Sequence, residues 1–104
     1  MKIAFDIDGS YTENPEMFDS LAETLQNAGH EVGFLTGRGE DRKIETEIPV
    51  GFEPDFEHYL GTDPDDPVQL RTQAKADTMR EEGIDMTFDD EADWFPDYVT
   101  AIKV

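Results

Sequence analysis

The chain has no cysteine, only eight basic residues and no long apolar run. The first absence excludes disulfides and thiolate metal sites. So few lysines and arginines exclude a basic nucleic-acid-binding surface, because phosphate contacts need clustered cations. Binding to an anionic membrane is disfavoured for the same reason. No stretch approaches the roughly 18 apolar residues of a membrane span, and the opening Met1-Lys2-Ile3-Ala4-Phe5-Asp6 meets an acid too early for a signal peptide. The expectation is a soluble, cytoplasmic protein, or a virus-encoded one acting in the host cytoplasm. A Pro/Ser/Gly-rich linker and an internal repeat are also missing, so residues 1–104 are expected to form a single domain.

What is abundant is acid: 26 Asp and Glu face 8 Lys and Arg, for a formal charge of -18. Leu, Ile, Val and Phe together only just exceed the roughly 20% below which high net charge implies disorder. Pattern decides for order, because the apolar residues gather in short blocks between turn signals.

Ile3 to Ile7 is a short apolar block running into acid, as in a central parallel strand covered on both faces. Asn14-Pro15-Glu16 then supplies an N-cap, a proline at the first helical position and an acid in the first turn. Phe18, Leu21, Ala22, Leu25 and Ala28 keep helical spacing up to Gly29. His30 to Thr36 reads as a second strand, completing a βαβ unit. Glu40 to Ile48, stopped by Pro49, is expected to be a helix exposed on most sides. Phe56 to Leu60 reads as a third strand, Asp66-Pro67 opens a helix reaching Glu82 and closed by Gly83, and Ile84 to Phe88 is a fourth strand. A short helix at Ala92 to Phe95 and a strand from Tyr98 to Val104 follow. The fold class is α/β: a three-layer α/β/α sandwich with a mostly parallel, Rossmann-like sheet of about five strands.

Ligands of such sheets bind beyond the carboxyl ends of the strands. Asp6 and Asp8 follow the first strand, Thr36 ends the second, and Asp89 and Asp90 follow the fourth. Paired carboxylates at a buried strand end repel one another unless a cation or proton intervenes, and an all-oxygen set suits Mg²⁺.

These residues also carry a resemblance. Phe5-Asp6-Ile7-Asp8-Gly9-Ser10 is similar to the first motif of the haloacid dehalogenase-like phosphohydrolases, and Phe34-Leu35-Thr36-Gly37-Arg38 to the second. Lys75 ahead of Ala76 to Gly83 matches the third, and Met86-Thr87-Phe88-Asp89-Asp90 the fourth. Ser10 stands where Thr or Val is usual, at a position that mainly shapes the turn. The resemblance implies a Mg²⁺-dependent phosphatase working through an aspartyl-phosphate. Asp6 would be the nucleophile, Asp8 the general acid and base, and Thr36 and Lys75 would stabilise the transferring group. Substrate phosphate would meet Thr36, Gly37, Arg38 and Lys75. Mg²⁺ would be held by Asp6, the Asp8 backbone carbonyl and Asp90, with Asp89 acting through water. The second aspartate favours phosphate-ester hydrolysis.

Neither the gap from Gly9 to Leu35 nor that from Gly37 to Ala74 holds a separate cap domain, so the resemblance is to minimal, capless members. Their open sites take large substrates or borrow a lid from a partner subunit. A narrower likeness, to the phosphatase part of phage polynucleotide kinases, rests on Leu35 to Arg38 and on brevity. The implied substrate is a phosphorylated small molecule such as a nucleotide, or the phosphate end of something larger.

Plainer readings stand beside these. Thr36 could cap a following helix, Arg38 could pair with Glu40 or Asp41, and Asp93 could be a helix N-terminal acid or support the site. Trp94, Phe95 and Tyr98 read as packing under the last strand, and His30 and His58 as structural or surface residues. The competing functions are a non-catalytic binding or scaffold domain and a phosphotransferase. The acids left over after the site is assigned point to salt adaptation, as in a halophile or its virus.

Overall fold

The alternation of inward side chains along the first strand already requires two covering layers. In the computed structural model, which describes residues 1–104, β1 (Lys2–Phe5) sends Ile3 and Phe5 into one buried cluster and Ala4 into another. α1 (Pro15–Asn27) closes the first cluster with Phe18 and Ala22. α2 (Val68–Glu82) closes the second with Ala76 and Met79. Between them lies a five-stranded sheet that includes β2 (Glu31–Thr36), β3 (Glu57–Tyr59), β4 (Met86–Asp89) and β5 (Thr100–Lys103). Every pairing is parallel, in the order β3-β2-β1-β4-β5. This is the α/β/α sandwich that the apolar blocks imply, with a Rossmann-like sheet and no cap.

The order places a switch point in the sheet. The chain builds outward from β1 through β2 to β3, then returns to build β4 and β5 on the other side. Connections leaving the carboxyl ends of β1 and β4 therefore diverge, and a crevice opens between them.

Aromatics compensate for the scarcity of aliphatic residues. The Phe5 and Phe18 rings meet edge to face at 4.9 Å, Tyr11 and Phe34 at 5.2 Å, and Phe52 closes the group against Phe34 at 5.4 Å. Fully burying one such side chain stabilises by about 1.5–3 kcal/mol, with edge-to-face pairing adding a little more. Tyr11 is completely buried and keeps its polar end satisfied by donating its hydroxyl to Asp19 at 2.5 Å.

The helix starts and stops follow the local signals. The Asn14 side chain accepts from the Met17 amide at 3.4 Å, ahead of Pro15. Gly83 takes the left-handed conformation at φ 67 that ends α2, returning its amide to the Met79 carbonyl.

Three expectations need correction. Glu40 to Ile48 is not one exposed helix but two short 3-10 turns, Glu40–Arg42 and Ile44–Thr46, with Ile44 fully buried against the α1-side core. Two apolar residues in nine cannot support an amphipathic α-helix, yet one of them suffices to pin a loop. The Ala92–Trp94 segment is likewise a 3-10 turn. Of the trio read as packing beneath the last strand, only Phe95 is buried, while Trp94 and Tyr98 are about half exposed at 52% and 53%. Tyr98 instead receives the Gln73 amide at 2.6 Å and lies under the Arg80 guanidinium. No helix is long and apolar enough to cross a membrane.

Candidate functional site

The β1 strand ends at Phe5 and delivers Asp6, 4% exposed, into the crevice. β4 ends at Asp89, which is completely buried, and Asp90 follows on the cleft side, partly exposed. Asp6, Asp89 and Asp90 each offer a carboxylate oxygen, and those oxygens lie within 4.8 Å of one another. Such a group would be self-repelling without a cation, and the protein supplies one. Lys75, buried on α2, donates its Nζ to Asp6 Oδ1 at 2.9 Å and to Asp89 Oδ2 at 2.6 Å.

One lysine does not neutralise three acids. Burial is the main force on Asp6 and lifts its carboxyl to about 7, with Lys75 pulling it down and Asp89 pushing it further up. Burial also raises Asp89, against the pull of Lys75. Burial works against the charge on Lys75 itself, but Asp6 and Asp89 outweigh it and hold the ammonium above its usual range.

The free valences differ among the three acids. Asp89 is bonded on both oxygens, Oδ2 by Lys75 and Oδ1 by the Glu91 amide at 2.8 Å, and so is Asp6, by Lys75 and Ser10, but Asp6 lines the cleft and Asp89 does not. Asp90 receives no hydrogen bond on its carboxylate, and the Asp8 carbonyl accepts none from the backbone. Oxygen donors of this kind, arranged on an edge with a raised carboxyl, fit a hard divalent cation such as Mg²⁺. Asp6, Asp90 and the Asp8 carbonyl are the groups that could hold it.

Ser10 contributes more than turn shape. Its hydroxyl donates to Asp6 Oδ2 at 3.1 Å and accepts the Asp90 amide at 3.1 Å, tying the loop after β1 to the loop after β4. A hydroxyl at this place in the first motif was the available signal. Gly9, with φ 80, brings the same loop so close that a Cβ would collide with the Asp90 carboxylate. Gly9→Ala is expected to cost about 1–2 kcal/mol from the left-handed backbone alone. It should also push Asp90 aside, seen as a lower Tm together with weaker Mg²⁺ binding by titration calorimetry; unchanged Mg²⁺ binding would mean that Asp90 holds no metal.

Across the cleft, Thr36 is buried and its hydroxyl accepts the Arg38 amide at 3.1 Å, so it ties its own turn and caps no α-helix. Arg38 does not pair with Glu40 or Asp41. Its guanidinium is nearly buried and grips Asp8 with two bonds, at 2.9 and 2.8 Å, while its third nitrogen bonds Glu47 at 2.6 Å. The Arg38 bonds hold the Asp8 carboxyl below the usual range. Asp93 does not line the cleft and is bonded to Lys103 at 2.7 Å.

All of the expected residues except buried Asp89 thus line one cleft of about 610 Å³: Asp6, Asp8, Thr36, Gly37, Arg38, Lys75 and Asp90. Comparison with family models, curated proteins and solved structures finds no match. The site is therefore read from its own chemistry. Arg42, Thr62, Arg71 and Glu91 join the lining, which contains no hydrophobic residue. Arg71 grips Glu91 at 2.7 and 3.2 Å. The signal for Arg71 was its position four residues before Lys75, on one face of α2.

The lining holds four acids and four bases, so they cancel and the whole surplus of -18 lies elsewhere on the molecule. Half of the cations in an extremely acidic chain surround this cleft. A neutral, cation-lined site on a negative body is suited to an anion that the rest of the surface would repel.

Proposed function

We propose that the protein is a Mg²⁺-dependent phosphohydrolase that cleaves phosphomonoesters through an aspartyl-phosphate on Asp6. The observation that carries this reading is the convergence of Asp6, Lys75, Asp89 and Asp90 at the switch point, with three carboxylates within 4.8 Å and a buried lysine bridging two of them. Carboxylates held this close beyond what one lysine neutralises are the arrangement that a bound divalent cation would relieve.

Asp6 attacks phosphorus through a carboxylate oxygen, the P–O bond to the leaving group breaks, and Asp8 supplies the proton that the departing alkoxide takes up. A water then attacks the aspartyl-phosphate while Asp8 receives its proton, and phosphate departs from regenerated Asp6. The Arg38 grip favours the carboxylate form of Asp8, which the second step needs. Donating in the first step requires Asp8 to leave that grip, and its side chain is 59% exposed and has room to turn. Lys75 and the Thr36 hydroxyl face the transferring oxygens. Lys75 has a third N–H beyond those given to Asp6 and Asp89. When bound, Mg²⁺ would offset the repulsion between the Asp6 carboxylate and the phosphate dianion. Asp6, Asp90 and the Asp8 carbonyl would hold it, with Asp89 acting through water.

Purified protein with Mg²⁺ should release phosphate from p-nitrophenyl phosphate and from a panel of small phosphomonoesters, and EDTA should stop it. Measurable Mg²⁺ binding without turnover on any member of the panel would mean a non-catalytic domain built on the same fold.

A further inference from the structure

Three of the four cations lining the cleft are already committed. Arg38 gives its N–H groups to Asp8, Glu47 and the Arg42 carbonyl. Arg71 gives its own to Glu91 and the Asp66 carbonyl. Lys75 serves Asp6 and Asp89. Arg42 is different. Its one ion-pair partner is Glu47 Oε2, distant at 3.7 Å, and that same oxygen already takes Arg38 at 2.6 Å. The Arg42 side chain is 57% exposed at the cleft, close enough for its charge to be felt at Asp8.

A guanidinium with its fork unfilled, beside a carboxyl proposed to act on the ester oxygen, faces whatever lies beyond the scissile phosphate. Its planar pair of N–H groups matches the two oxygens of a carboxylate. A second phosphate dianion would call for more than one uncommitted guanidinium, and with Arg38 on Asp8 and Arg71 on Glu91 only Arg42 has its fork unfilled. A nucleobase would find no aromatic or hydrophobic side chain to stack on, because none lines the cleft. A polynucleotide would also meet the exposed acids Asp63, Asp65 and Asp66, which flank Pro64 at the rim.

We infer that the substrate is a small, polar phosphomonoester carrying a carboxylate, and that Arg42 is the residue that reads this second anion. The inference rests on the phosphohydrolase reading for the scissile phosphate. It goes beyond it in naming the substrate class, and it excludes nucleotides and polynucleotide ends.

The test compares 3-phosphoglycerate with glycerol 3-phosphate, which replaces the carboxylate by a hydroxymethyl group, and with AMP. Wild type, Arg42→Gln and Arg42→Lys are assayed with Mg²⁺ at one salt concentration. Preference is read as a ratio of kcat/KM where phosphate is released, and as a ratio of Kd by calorimetry where it is not. Wild type should favour 3-phosphoglycerate over glycerol 3-phosphate by about tenfold or more, the worth of one charge-assisted contact. In Arg42→Gln the ratio should fall toward one, and Arg42→Lys should restore part of it by returning the charge without the fork. A wild-type ratio near one, a preference for AMP, or a ratio unmoved by Arg42→Gln would overturn the inference. A preference seen in binding without phosphate release would instead sink hydrolysis and leave the carboxylate site standing.

Discussion

Asp6→Asn should release no detectable phosphate, a loss on the order of 10⁴-fold or more, because the amide cannot attack phosphorus and no other lining group stands in its place. The same substitution should make the metal-free protein more stable at neutral and alkaline pH. Folding forces the Asp6 carboxyl from its ordinary 3.8 up to about 7, chiefly by burial. A carboxylic acid whose pKa rises on folding binds more protons folded than unfolded, so its contribution to stability falls as pH rises through that interval. The cost is complete above about 7 and absent below about 4. Asparagine removes it, and Lys75 still keeps Asp89 as a partner.

A gain of about 1–2 kcal/mol at pH 8 would raise Tm by several degrees in a domain of this size. That gain should fade as the pH is lowered toward 4. Mg²⁺ should reverse the order, since ligand at about 100 times its Kd stabilises by about 2.7 kcal/mol, and the variant lacks a carboxylate proposed to hold the metal. Thermal melts with EDTA and with Mg²⁺ at several pH values measure all three effects. An Asp6→Asn protein that turns over substrate like wild type would end the nucleophile assignment. One that is less stable than wild type at pH 8 in EDTA would show instead that Asp6 is a structural partner of Lys75.

The second large effect concerns the solvent. Outside the cleft compensation is sparse: the lining is neutral, and the remaining four bases leave a surplus of -18 over the rest of the molecule. Charges of one sign at this density repel, and they do so more strongly in the folded state than in the expanded chain. The Debye length falls from about 10 Å at 0.1 M to about 3 Å at 1 M salt. Relief of even about 2 kcal/mol of self-repulsion would raise Tm by roughly 10 °C. We therefore expect Tm to climb steeply between about 0.1 and 2 M KCl. The slope should flatten in a triple variant that neutralises the exposed Glu23, Glu53 and Glu81 to glutamine. A Tm flat across that range would refute salt adaptation. The cleft responds to salt in the opposite sense, since the same screening weakens an exposed contact such as that proposed for Arg42.

Most of the architecture was legible because it depends on local rules. Apolar blocks ending in acid specify strands of a parallel sheet, Asn14-Pro15 starts α1, and Gly83 ends α2. The acids at the strand ends follow from the same pattern, for a parallel sheet brings all of its carboxyl ends to one edge. Where the local signal was thin the reading failed: Glu40 to Ile48, with two apolar residues and a stop at Pro49, was expected to be a helix, and it is a loop pinned by buried Ile44.

Partnerships belong to the tertiary structure. Nothing near Arg38 in the sequence says that it turns from Glu40 and Asp41 to grip Asp8, thirty residues away. Ser10 bridges to the Asp90 amide across eighty residues, and Lys75 reaches Asp6 across sixty-nine. Composition likewise set the total charge, but only folding could sort it, because charges are brought together or kept apart by the sheet order and not by their spacing along the chain. The sequence by itself determined an acidic α/β domain with carboxylates at its strand ends. The three-dimensional arrangement decided which of those carboxylates meet, which cations they meet, and that Arg42 stands at the cleft with its fork unfilled.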